Sequence, residues 1–293
     1  MNATPLLKGR RLYQKTNMLE LISTKTQSLK EFTEENYAQA AFCFRTLLKD
    51  KEIKINGKKT GENIIVQAGD RVQYYLTEKQ VQKQAFEIVY ADENVLIVDK
   101  ESGVNSEAVY AELKRNYGED CRFIHRLDRN TQGLMSFALG AQAETELLNA
   151  FREKRVEKIY HALCVGKFRE KSGTLYAYLK KNEEKALVKI SDSPVLGAEK
   201  IITEYKVLEE LGELTKAEIT LHTGKTHQIR AHLAHIDCPI LGDMKYGNEA
   251  ENKKRNLSRQ CLVAKRLRFS FTGVLAYLNE KTFVSKFEIE FKI

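Results

Sequence analysis

What most constrains this chain is a succession of strand-like segments that follow one another without a helix between each pair. Short β-branched and aromatic runs stand at 86–90, 95–99, 134–139, 157–165, 201–208, 217–221 and 284–293, whereas helical periodicity is confined to about 107–115, 143–154 and 227–236. A doubly wound sheet needs a helix after nearly every strand. This pattern instead predicts an α+β domain with a mixed, mainly antiparallel sheet over residues 86–293. The chain has 293 residues, 42% of them hydrophobic, enough for that domain and a smaller one before it.

The smaller domain is expected at 29–76, after a basic leader at 1–28 that shows no pattern of its own. Thr33 reads as an N-cap ahead of EENYAQAAFCFRTLLKDK, where Ala41, Phe44, Leu47 and Leu48 share one helical face. Asn56-Gly57 then separates two short β-like runs, and Ala68-Gly69-Asp70 introduces a third at 71–76. Arg45, Lys49, Lys54 and Lys58 gather positive charge near the first turn, together with Lys51 and Lys59. The polar stretch TEKQVQKQA, 77–85, reads as a linker.

Composition narrows the partners. The net charge of +8 favours a polyanion such as nucleic acid, although many ordinary proteins carry as much. The five cysteines are widely scattered and contain no C-x-x-C pair, which argues against a disulfide framework and a zinc knuckle. The basic start lacks the apolar run of a signal peptide, and no stretch suits a bilayer span, so a cytoplasmic chain with reduced thiols and no membrane partner is expected.

Three segments carry residues suited to chemistry. In FIHRLDRNTQGLM, His125, Arg126 and Arg129 crowd Asp128, and Asn130 and Gly133 place that carboxylate on a tight loop at the mouth of a strand. An exposed turn with local ion pairs is the plain alternative. In LHTGKTHQIRAHLAHIDCPILGDMKYG, Gly224-Lys225-Thr226 resembles the end of a phosphate loop, but Ile219 stands where that motif needs glycine. His227, His232 and His235 do not have metalloprotease spacing, and Gln228 replaces the required glutamate, so no metal is expected. A helix here turns Arg230 and Leu233 inward. Arg230 then needs a carboxylate, for which Asp128 is the candidate, either as part of a site or as a structural ion pair. In VEKIYHALCVG, strand alternation puts Lys158, Tyr160 and Ala162 on one face. Tyr160 can stack on a base, move a proton, or simply fill a half-buried strand position.

Taken together and in order, HRLDRNTQGL, EKIYHA and GKTHQIRAHL followed by PILGDMKYG resemble the signatures of the RluA family of pseudouridine synthases. The likeness extends from IVYADENVLIVDK to RQCLVAKRLRF, about 86–270. R-x-L-L-x-x-x-x-I-x-I-N-G-K with A-G-D-x-V likewise resembles a small S-four-like RNA-binding domain. The resemblance implies a pseudouridine synthase fold and an enzyme without metal or cofactor, and the chain is expected to be a monomer. Its substrate would be a uridine in structured RNA, large-subunit ribosomal RNA before transfer RNA. A non-catalytic RNA-binding protein on the same fold is the rival.

By that resemblance Asp128 is the catalytic aspartate, Tyr160 the active-site tyrosine, Arg230 the partner of the aspartate, and Arg126 the side chain that enters RNA where the uridine leaves. Arg129 and Lys225 are further candidate RNA contacts. The aspartate would serve by attacking the anomeric carbon or by promoting a glycal, and these routes stay open. Departures from the family pattern are Lys100-Glu101-Ser102-Gly103 in place of K-P-A-G or K-P-S-G, Lys225 for arginine and Val263 for histidine. They bear on substrate choice and leave the aspartate, tyrosine and pairing arginine untouched.

Overall fold

The computed structural model describes residues 17–182 and 187–289. The chain divides into two compact units, Met1–Ala85 with Val104–Cys121, and Phe86–Gly103 with Arg122–Ile293. The leader expected at 1–28 lies outside the described residues up to position 16, and its remainder enters the first unit.

That unit contains β1 (Met18–Ile22), β2 (Gln27–Ser28), α1 (Leu29–Asn36), α2 (Ala38–Phe42), α3 (Phe44–Lys49), β3 (Ile53–Ile55), β4 (Lys58–Thr60), β5 (Ile65–Val66), β6 (Arg71–Tyr75), α4 (Glu78–Val81) and α5 (Ser106–Tyr117). Strands pair in the order β1-β6-β3-β4, and β2 pairs with β5. Leu29, Phe32, Leu47, Ile53, Val72 and Tyr74 fill the core. The expected Thr33 cap is wrong. Ser28 caps α1 in a reciprocal box with Glu31, while Thr33 is buried, its hydroxyl donating to the Leu29 carbonyl at 2.7 Å and lying 2.8 Å from the Tyr74 hydroxyl. The single helix read from the periodicity is three, because Tyr37 is extended (φ −147°, ψ 93°) and Cys43 leaves helical geometry. The stretch 77–85 is not wholly irregular, since Thr77 caps α4 with Gln80 in a second capping box. The helix α5 belongs with this unit, where Arg115 donates to the Asn36 carbonyl at 3.1 Å.

The second unit is built on a large sheet. It comprises β7 (Phe86–Ala91), β8 (Val95–Lys100), β9 (Cys121–Phe123), β10 (Gln132–Leu139), α6 (Ala141–Arg152), β11 (Val156–Val165), β12 (Ser172–Asn182), β13 (Leu187–Ser191), β14 (Glu199–Leu211), β15 (Leu214–Leu221), α7 (Gln228–His235), α8 (Glu249–Lys254), β16 (Leu262–Phe269) and β17 (Thr282–Val284). Strand order is β13-β12-β14-β15-β11-β16-β10-β8-β7, with β17 on β16 and β9 on β10. The β10–β16 pairing is parallel, whereas β11 is antiparallel to both β15 and β16. This is the mixed, mainly antiparallel α+β sheet that the strand runs require.

Two features fix the centre of the sheet. At the β10–β16 pairing Gly133 lies beside Ala264 with φ +114°, and a Cβ there would stand 2.3 Å from the Ala264 carbonyl oxygen. Only glycine lets the two backbones approach so closely. On one side α6 buries Ala143, Leu147 and Ala150 against Val156, Leu267 and Phe269. The strand expected at 284–293 ends at Val284, and 290–293 lie outside the described residues. Side chains replace the ladder here: Ser285 donates to both Asp99 oxygens at 2.8 and 2.9 Å, and Lys265 donates to the Ser285 carbonyl at 2.6 Å.

Candidate active site

Asp128 lies on the loop that leads into β10. Its carbonyl accepts from the Thr131 amide at 3.0 Å, closing a tight turn, and buried Thr131 accepts from Gln260 at 2.6 Å. The loop is also held from below. Lys100, fully buried at the end of β8, donates its ammonium to the carbonyls of Glu101 at 3.0 Å and Arg129 at 3.1 Å. Its charge is spread over backbone dipoles, as a buried cation requires.

Across from this loop, α7 presents Arg230. Nη1 donates to Asp128 Oδ2 at 2.7 Å, while Nε and Nη2 fork onto Asp243 at 2.7 and 2.9 Å. The expected pairing of Arg230 with Asp128 is thus present in the structure, and a second carboxylate completes it. The Asp243 side chain is wholly buried, that of Arg230 is 8% exposed, and that of Asp128 is 24% exposed, so the open end of the triad is Asp128. Burial works against the charges on Arg230 and Asp243. Their mutual hydrogen bonds outweigh it, raising the guanidinium further and holding the Asp243 carboxyl below its ordinary value.

Asp243 is the residue that sequence reasoning missed. It stands in the GDMKYG stretch, and the signal for it was the demand of a buried arginine for more acceptors than one exposed carboxylate supplies. Its own Oδ1 also accepts from the amides of Lys245 at 2.8 Å and Tyr246 at 3.2 Å. Gly242 before it has φ +79°, and a Cβ there would meet the Arg259 carbonyl oxygen at 2.0 Å.

The remaining polar groups fall into place around this triad. The Tyr246 hydroxyl accepts from the Val188 amide at 2.8 Å and lies 2.9 Å from His227 Nδ1. A hydroxyl proton donated to Nδ1 leaves the His227 Nε2–H facing Asp128 Oδ2 at 4.0 Å. Burial lowers the His227 pKa, outweighing the pull of the Asp128 charge. Gln228 is saturated: Oε1 accepts from the Thr223 hydroxyl at 2.9 Å and the Lys225 amide at 3.1 Å, and Nε2 donates to the Ile202 carbonyl at 3.1 Å and the Thr203 hydroxyl at 3.0 Å. It pins the Gly224–Lys225 turn beside the pocket. The three histidines of this segment have separate partners: His227 meets Tyr246, His232 meets Thr203 and His235 meets Asp192.

These groups enclose a cavity of about 420 Å³, lined on one side by Arg126, Leu127 and Asp128, on another by Lys225, His227 and Arg230, and floored by Lys158, Tyr160 and Leu262. Its size suits one small ligand or one nucleoside. Lys158 and Tyr160 share a face of β11, as the alternation requires. Burial, then the charge of Asp128, pushes the Tyr160 phenol well above its ordinary range, so it is protonated at neutral pH. His125 backs the floor: its Nε2 accepts from the Ser136 amide at 3.0 Å, its ring leans on Phe151 at 4.6 Å, and burial pushes its pKa down to about 3.

Of the candidate RNA contacts, Arg126 is exposed at the cavity rim, Arg129 donates Nε to the Gly103 carbonyl at 3.2 Å, and Lys225 pairs with Glu199. In the first unit, Arg45 and Lys49 are exposed on α3, Lys58 is exposed on β4, and Lys54 lies over the Tyr75 ring at 4.9 Å.

The model of the RNA pseudouridylate synthase family matches residues 63–235, a span that holds Asp128, Tyr160 and Arg230. The chain belongs to that family. Among its relatives, the ribosomal large subunit pseudouridine synthase C of Rickettsia conorii is 33% identical over 230 residues, 69% of this chain and 76% of the relative. An uncharacterized RNA pseudouridine synthase of Chlorobaculum parvum is 31% identical over 83% of this chain and 84% of the relative. Among solved structures, human RNA pseudouridylate synthase domain containing 1 is 29% identical with a TM-score of 0.57, covering 64% of this chain and 79% of its own. The RluA-type pseudouridine synthase fold implied by the sequence motifs is therefore the fold of this chain.

Proposed function

We propose that this RNA pseudouridine synthase uses Asp128 as its reacting carboxylate on a uridine of large-subunit ribosomal RNA. The observation that carries the reading is the Asp243–Arg230–Asp128 triad, which closes two buried members on each other and leaves one carboxylate facing a nucleoside-sized cavity. Arg230 aims that carboxylate, since its Nη1 donates a charge-assisted hydrogen bond to Asp128 Oδ2 at 2.7 Å.

Isomerisation breaks the bond from N1 to the ribose, turns the base, joins C5 to the same ribose carbon, and moves the C5 proton away while N1 gains one. A single carboxylate suffices, since the base is both leaving group and nucleophile. In this reading Tyr160 takes part in the proton transfer. Its phenol is held protonated partly by the Asp128 charge. Held protonated, the phenol gives its proton to N1 and takes up the one that C5 releases, so that it ends as it began.

Arg126, at the rim, fills the space the uridine vacates and offsets part of the unstacking cost of a few kcal/mol. The first unit, with Arg45, Lys49, Lys54 and Lys58, contributes phosphate contacts in the manner of an S-four-like domain, which β1 and α5 extend beyond the expected 29–76, and the second unit carries the catalysis. The name of the Rickettsia relative supports the ribosomal target. Pseudouridine maps of total RNA with and without the gene test the reading: one or more large-subunit sites should disappear and return with the wild-type gene. Loss only in transfer RNA would redirect the target, and no loss would overturn the assignment.

A further inference from the structure

Beside the active cavity lies a second opening of about 570 Å³, and the two share Lys158 and Leu221. Its origin is a parting of strands. The β11–β15 ladder ends at Ile159–Thr220, whereas β11 extends back to Val156 and stays paired with β16 as far as Phe269. A groove therefore opens where β15 stops and β11 continues.

The groove is cationic. Lys154, Arg155, Lys158 and Arg268 face two carboxylates, Glu157 and Glu204, and His222 is occupied with Glu204 at 2.8 Å. Arg155 is also committed, to Glu153 at 2.9 Å and to the Ser270 carbonyl. The others are not. Arg268 has only a loose contact with Glu157 at 3.9 Å and is 55% exposed, and Lys154 is exposed at a left-handed position (φ 59°). Among the described residues no carboxylate or hydrogen-bond acceptor meets Lys158 Nζ, which lies 5.7 Å from the Phe151 ring centre although the residue is only 9% exposed. Lys158 lines both openings, so its ammonium is available to a ligand in either one and no acceptor among the described residues competes for it. Burial, then the charge of Lys154, lowers its pKa.

We propose that this groove is a subsite for the RNA backbone adjoining the target uridine, with a phosphodiester held by Lys158 at the seam and by Lys154 and Arg268 beyond it. The inference rests on the proposed function for its ligand and adds a path for the flanking strand across the end of β11. Phosphate contacts fix the register of a strand without reading its bases. Lys158 would accordingly be a positioning residue, setting how far the flipped nucleotide enters toward Asp128.

The test uses the full chain and an unmodified transcript of large-subunit ribosomal RNA, with binding and single-turnover isomerisation measured over a series of potassium chloride concentrations. Lys154→Ala and Arg268→Ala should each weaken binding about threefold to tenfold and flatten the logarithmic salt dependence by roughly 0.7–0.9. Their affinity should fall further than their maximal single-turnover rate, because the lost contact positions the strand and takes no part in bond breaking. Lys158→Met should show the same binding loss together with a lower rate, and Lys158→Arg and Arg268→Lys should recover binding, which separates lost charge from misfolding. Unchanged affinity and salt slope in both alanine variants would overturn the groove while leaving the proposed function standing. A wild-type chain that forms no pseudouridine in this transcript would count against the proposed target, whereas the binding series would still decide whether the groove holds RNA.

Discussion

Replacing Asp243 by asparagine probes the anchor of the triad with little change of shape. In the wild type, Oδ1 accepts from Arg230 Nη2 at 2.9 Å and from the Lys245 and Tyr246 amides, while Oδ2 accepts from Arg230 Nε at 2.7 Å. An asparagine oxygen can take the Oδ1 place and keep those bonds. Its NH2 then confronts the Nε–H, donor against donor. One charge-assisted bond worth about 1.5–3 kcal/mol is lost, and a buried cation is left half paired, so the total should approach the roughly 3–5 kcal/mol typical of breaking a buried pair. For a unit of this size that is a fall of about 6–20 °C in melting temperature, at roughly 2–4 °C per kcal/mol. Arg230 would also lose its fixed direction toward Asp128, and a displacement near 1 Å costs about 10²-fold in rate. Melting curves and single-turnover isomerisation report the two effects separately. The double variant Arg230→Met, Asp243→Leu should regain stability relative to Asp243→Asn, since apolar replacement of a buried pair is often neutral or better, but should not regain activity. An Asp243→Asn variant with wild-type melting and rate would refute this account of the triad.

Other outcomes follow from the same geometry. Gly133→Ala should destabilise the second unit by several kcal/mol and lower soluble yield, because its Cβ would overlap the Ala264 carbonyl at 2.3 Å; a melting temperature equal to wild type would contradict this. Tyr160→Phe should retain RNA affinity, as the ring still stacks, while the single-turnover rate falls about 10²-fold or more; a rate within twofold of wild type would remove the tyrosine from the proton transfer. His125, half-buried on the cavity wall, and His232, buried, are pushed down to about 3 and about 4 from an ordinary 6.5, so both are neutral in the folded chain and charge readily when it unfolds. The unfolded state then binds more protons below pH 6.5, so their contribution is full above that pH and declines as pH falls toward 4, by up to about 2.7 kcal/mol per pH unit for the two together. Urea unfolding at stepped pH checks the sign, and stability that rises on acidification from pH 6.5 to 5 would contradict it.

Much of this was legible in the sequence because the signals were local. Period-two alternation in VEKIYHALCV placed Lys158 and Tyr160 on one face, the Asn56-Gly57 turn set β3 against β4, and the inward position of Arg230 required an acid. What escaped depended on long-range packing. Thr33 looked like a cap because its side chain suits one, yet Tyr74, forty-one residues away, offers it a buried hydroxyl, and Ser28 with Glu31 makes the better cap. The division of one expected helix into α1, α2 and α3 follows from the extended backbone at Tyr37 and the irregular one at Cys43, which helical periodicity does not encode. Asp243 was hidden for a similar reason: a wholly buried carboxylate in a loop shows no periodic pattern, and its role appears only once Arg230 is seen to need three acceptors.

The central claim is that the exposed member of the triad, Asp128, performs the chemistry. Asp128→Asn keeps the side-chain shape and an oxygen able to accept from Arg230, so folding and RNA affinity should change little. The decisive measurement is pseudouridine formed per enzyme by purified Asp128→Asn and wild-type chains on RNA from cells lacking the gene. The account predicts conversion at the mapped site by the wild type and none above background by the variant, with comparable binding. Conversion by Asp128→Asn at a rate near wild type would contradict it.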